Sequence, residues 1–86
     1  MNIIEELGIA PYSEGALVSN RFTGQSAMLT AEELAVYDFI MGAQVTLETE
    51  WDTMPEDEVY ALRQSFHRGL NWFKETNAKV YMALLD

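Results

Sequence analysis

The stretch Thr30-Ala31-Glu32-Glu33-Leu34-Ala35-Val36-Tyr37-Asp38-Phe39-Ile40-Met41-Gly42-Ala43 decides the fold. Its first four residues spell a capping box: the Thr30 hydroxyl can accept the amide of Glu33 while the Glu33 carboxylate reaches back to the amide of Thr30. A helix is therefore expected to start there and run over 31–48. Downstream, Leu34, Tyr37, Met41 and Val45 form one apolar stripe. Val36, Ile40, Ala43 and Leu47 form a second, about 135° around the helix at 3.6 residues per turn. One small core cannot easily use both stripes. Either the helix is central in the monomer or the second stripe meets another subunit; the small size of the chain favours the second account, which makes Val36, Phe39, Ile40 and Ala43 interface candidates with Trp51 and Trp72 as anchors.

Outward toward the C-terminus, Thr53-Met54-Pro55-Glu56-Asp57-Glu58 reads as a helix opening. Thr53 is the expected cap, Pro55 sits where a missing amide costs nothing, and three carboxylates face the positive end of the helix dipole. The spacing of Val59, Leu62, Phe66, Leu70 and Phe73 predicts a helix over about 54–76. Asn77 can then cap a short last helix, Ala78 to Leu85, although no glycine or proline separates the two and one longer continuous helix is the alternative. Gly42 and Gly69 lie inside the long helices, where glycine costs about 1 kcal/mol relative to alanine, so the helices are expected to cross near both.

Outward toward the N-terminus, residues 2–7 read as a short helical turn burying Ile3, Ile4 and Leu7, ended by Gly8 and by Pro11. From Tyr12 to Leu29 no period holds, and polar and glycine residues interrupt each apolar run. That segment reads as irregular, with Ala16-Leu17-Val18 as a brief strand at most. The fold class expected is all-α: one domain over 1–86, a small bundle of two longer helices, a short N-terminal helical turn and a short C-terminal helix.

Composition narrows the function. With 86 residues and 49% hydrophobic content the chain folds but has a thin core, which favours a homo-oligomer of two or more copies and contact with another protein. The absence of cysteine removes disulfides, thiolate chemistry and sulfur-bound zinc. The net charge is −9, with residues 1–58 at −11 and residues 59–86 at +2. This field repels phosphate backbones, so nucleic acid is disfavoured even though Tyr60, Trp72 and Phe73 sit among Arg63, Arg68 and Lys74. No run approaches the roughly 18 apolar residues of a membrane span, and the start lacks the pattern of a secretory signal, so a cytoplasmic protein without a membrane partner is expected.

No motif points to catalysis. The serines lack a nucleophile elbow, no glycine-rich phosphate cradle occurs, and adjacent carboxylates such as Glu32 and Glu33 point about 100° apart on a helix. His67, the single histidine, shares a polar face with Arg63, Asn71 and Lys74, and no partner that would orient its ring for acid-base work is visible in the sequence. It reads as a surface or interface residue. The acidic segment with Glu48, Glu50, Asp52, Glu56, Asp57 and Glu58 lacks the order of a calcium loop and reads as solvated charge. No cofactor, metal or catalytic residue is expected. An alternative to the assembly reading is an acidic inhibitor that mimics DNA, with Glu32, Asp38, Glu48, Glu50, Asp57 and Glu58 in one strip; a carboxylate-metal site ranks below both.

Thr23-Gly24-Gln25-Ser26, Leu34 to Gly42 and Gly69-Leu70-Asn71-Trp72-Phe73 resemble small uncharacterised proteins of marine tailed phages, cyanophages especially. The resemblance implies a compact phage-encoded protein acting inside a bacterial host. It carries no ligand or catalytic motif, so no functional residue is transferred.

Overall fold

The computed structural model describes residues 2–20 and 22–85. Helix α1 (Ile3–Leu7) is followed by strands β1 (Ala16–Ser19) and β2 (Ser26–Leu29), the long helices α2 (Ala31–Thr49) and α3 (Glu56–Thr76), and a short α4 (Ala78–Val80) that runs into a π-helical turn over Tyr81–Leu85. The molecule is mostly helical, but β1 and β2 pair antiparallel, which corrects the all-α expectation.

Local chemistry sets most boundaries. Asn2 Oδ1 accepts the Glu5 amide at 3.0 Å to open α1, and Gly8 closes it in the left-handed region at φ 67°. The capping box of α2 is complete: Glu33 N donates to Thr30 Oγ1 at 3.1 Å, and Thr30 N donates to Glu33 Oε1 at 2.9 Å. At α3 the cap differs from expectation. Pro55 takes the N-cap place without a side-chain bond, while the Thr53 hydroxyl turns back to donate to the Glu50 carbonyl at 3.1 Å. Proline has no side-chain acceptor, so in the first turn the Glu58 amide turns to the Pro55 carbonyl at 3.0 Å. Asn77 does cap the final helix, its Oδ1 accepting from Val80 N at 3.3 Å.

The core gathers Ile3, Ile4, Leu29, Val36, Ile40, Phe73, Val80 and Leu84. Phe73 is fully buried, which stabilises the fold by about 1.5–3 kcal/mol relative to an exposed ring. Helices α2 and α3 form an antiparallel pair, since Ile40 meets Gly69 and Glu33 meets Asn77. A Cβ on Gly69 would stand 3.0 Å from Ile40 Cγ1, so this glycine marks the close approach of the two helices. Gly42 does not: it is exposed, and nothing lies within 4 Å of where its Cβ would be. The expected crossing therefore exists at Gly69 alone, because Gly42 lies on the side of α2 facing away from α3.

The hairpin explains why the 12–29 segment showed no period. Ala16 pairs with Leu29 and Val18 with Ala27 on the covered face, while Leu17 pairs with Met28 in solvent. Apolar residues thus stand on both faces of the hairpin, Leu29 and Val18 inward and Leu17 and Met28 outward, which removes the usual apolar–polar alternation. Gly15 presses directly on the end of β2, where a Cβ would fall 1.8 Å from the Leu29 carbonyl oxygen. Asn20 fixes the turn on the bundle: its Nδ2 donates to the Ala83 carbonyl at 3.2 Å and its Oδ1 accepts from Phe22 N at 2.9 Å.

Candidate interaction surfaces

The two stripes of α2 have divided in the opposite sense to expectation. Val36 and Ile40 are 0% exposed and Ala43 is buried, all inside the chain's own core. They are not a docking face: the Gly69 side of α3 closes over Ile40, while the hairpin and the short helices close the rest of the core. Phe39 is half-buried and packs against the same core. The other stripe, Tyr37, Met41 and Val45, lines an open groove of about 740 Å³, with Phe66 and Leu70 from α3 and Leu84 from the terminal turn. Val45 remains 59% exposed at its edge, and Phe22 of the hairpin turn lies over the same groove. Gln44 and Glu48 supply its polar margin on α2.

The two tryptophans fall in unlike places. Trp72 is half-buried, edge-on to Phe73 with centroids 4.9 Å apart, and helps to seal the core. Trp51 stands 60% exposed in the link between α2 and α3. Together with Met54, Val59 and Tyr60 it borders a second cleft, of about 830 Å³, whose other lining residues are Asp52, Glu56, Asp57 and Arg63. Tyr60 is 65% exposed there. Large amphipathic rings held in water at a concavity are the residue types that anchor protein interfaces.

Polar side chains mainly fasten the small elements to the bundle. Arg68 forks onto Glu6, bonding Oε2 through Nε and Oε1 through Nη2, and this is the ion pair seen among the described residues. The hydrogen bond from Arg68 holds the Glu6 carboxyl below its ordinary range and raises the guanidinium pKa. The Tyr12 hydroxyl donates to Asp38 Oδ2, and that bond raises the phenol pKa. His67 is exposed and lies edge-on to Phe66 at 5.5 Å. Among the described residues, no three His, Cys, Asp or Glu side chains are gathered to hold a metal ion.

The carboxylates considered for a DNA-like strip leave α2 in different directions. At about 100° per residue, Glu32, Asp38 and Glu48 are about 80–160° apart around the axis. Asp38 is, moreover, engaged by Tyr12. Among the described residues no helix is long and apolar enough to cross a membrane. Comparison with family models, with curated proteins and with solved structures finds no match to the chain.

Sequence reasoning identified the stripe with Tyr37, Met41 and Val45 but gave it to the core. What breaks the tie between the stripes lies on another helix: only the α2 face opposite a glycine of α3 can approach closely enough to be sealed. Gly69 is that signal. Tyr60 was visible only as one ring among bases, because its position beside the Trp51 link depends on where α3 begins.

Proposed function

We propose that this chain is a non-enzymatic assembly protein, whose open α2–α3 groove is covered by another copy of itself. One observation carries the reading. Tyr37, Met41, Phe66 and Leu70, half-buried against the core, and the mostly exposed Val45 line an open concavity that the chain itself leaves uncovered. A chain of this size hides only about 60% of its unfolded surface, so covering such a groove by association adds stability that the monomer core lacks. The copies carry like net charge, −9 each, and long-range repulsion opposes their approach. Self-association driven by apolar burial therefore strengthens as salt screens that repulsion.

Sedimentation velocity over a wide concentration range tests the proposal. The expected result is a species heavier than the 9.8 kDa monomer, favoured by added salt and lost in Val45→Glu. Val45 is mostly exposed, so the substitution leaves the monomer fold in place. A chain that stays monomeric throughout would remove the proposal. The resemblance to phage proteins supports placing such an assembly inside an infected bacterium, and no residue of the groove depends on that placement.

A further inference from the structure

The second cleft, at the link between α2 and α3, is separate from the groove and has a different chemistry. Trp51 and Tyr60 are 60% and 65% exposed, and Met54 and Val59 complete the apolar lining. Asp52, Glu56 and Asp57 stand in the same lining against one base, Arg63. Complementing the helix dipole accounts for Glu56 and Asp57 in the first turn of α3. It does not account for Asp52, which precedes the helix, or for two rings held in water on either side of the helix start.

We propose that this cleft receives an arginine-bearing segment of a protein partner. A guanidinium stacks on aromatic faces and bonds carboxylates in the same plane, and the cleft offers both kinds of group side by side. Three carboxylates against one base, in a chain of net charge −9, select a cationic occupant and repel an anionic one. The like charge of a second copy argues against self-association at this face. The rings supply the anchors and the carboxylates the orientation, as in interfaces centred on tryptophan, tyrosine and arginine.

The test is fluorescence anisotropy of a labelled hexa-arginine peptide titrated with the full chain and its variants. Saturable binding is expected, weakening as salt rises, opposite in sign to the self-association proposed for the groove. Trp51→Ala and Tyr60→Ala should each weaken binding at least tenfold, while Tyr60→Phe, which keeps the ring, stays within twofold of the wild type. Asp52→Asn with Glu56→Gln and Asp57→Asn should weaken it at least tenfold. Removing three carboxylates elsewhere, Glu14→Gln with Glu32→Gln and Glu75→Gln, should change it less than threefold. Since Trp51 and Tyr60 are surface residues, circular dichroism should show each variant folded. Absent binding, equal losses in the two charge-deleted variants, or unchanged affinity without the rings would each overturn the proposal. Because the groove is tested by mass and the cleft by peptide affinity, either can fail without the other.

Discussion

Asn77 Nδ2 donates a 3.0 Å hydrogen bond to Glu33 Oε2, so the carboxylate that completes the capping box of α2 also holds the junction between α3 and α4. Glu33 is the one buried charged residue among those described, and both its oxygens are engaged. Removing it leaves the Thr30 amide and the Asn77 amide group without their acceptor in a half-buried site. Glu33→Ala should therefore destabilise the fold by about 1–3 kcal/mol, combining a lost cap with unsatisfied donors. Glu33→Gln, which keeps a single acceptor oxygen, should cost less. Urea unfolding monitored by circular dichroism measures both, and a neutral Glu33→Ala would mean the junction is held by packing alone.

The two helical glycines should respond in opposite directions. At Gly69 even a Cβ would stand 3.0 Å and 3.2 Å from Ile40 carbons, and a larger side chain must push α2 and α3 apart. Gly69→Leu should destabilise by about 1–3 kcal/mol or more. At Gly42 nothing is met, and Gly42→Ala should stabilise by about 1 kcal/mol through helix propensity alone. Thermal midpoints that move in the same direction for both would contradict the assigned crossing.

The tethers of the small elements should be visible in pH dependence. Arg68 depresses the Glu6 pKa on folding, so this contact's contribution is present above the ordinary glutamate value and is lost as pH falls through the lowered one. The stability difference between wild type and Arg68→Gln should therefore be present at neutral pH and vanish well below about pH 4. For Tyr12 the shift has the other sign: the protonated phenol is the form that donates to Asp38. Its contribution is complete below the ordinary tyrosine value and is lost as pH rises through the raised one. Phenolate absorbance should show one of the four tyrosines titrating late, above about pH 10, and returning to the ordinary range in Asp38→Ala. A wild-type curve that superimposes on that of the variant would exclude the contact.

What the sequence made legible follows the range of the interaction. Capping groups act within a turn, so the start of α2, the end of α1 at Gly8 and the cap at Asn77 could all be read from neighbours. The cap of α3 is less legible: Thr53 has the residue type of a cap, but the helix starts after Pro55 and the Thr53 hydroxyl bonds the Glu50 carbonyl instead. The hairpin is hidden by content: Leu17 and Met28 face water while Ala16, Val18, Ala27 and Leu29 face inward, so both faces are apolar and no apolar–polar alternation survives. The candidate surfaces depend on pairing at longer range. Val36, Ile40 and Ala43 were the expected interface and became core, since Gly69 admits Ile40 beside α3. Trp51 stands exposed in the α2–α3 link, whereas Trp72 turns onto Phe73.

The proposal that a second copy covers the groove can be tested at its margin by a spin label. The chain has no cysteine, so Gln44→Cys at the rim of the groove and Glu14→Cys on the exposed stretch before β1, which does not line it, each carry a single nitroxide. At concentrations where the chain associates, the label at position 44 should be immobilised and dipolar-coupled to a second nitroxide, and should become mobile on dilution, while the label at position 14 stays mobile throughout. Equal mobility at both positions, with no dipolar coupling at position 44, would contradict the claim that another copy closes this groove.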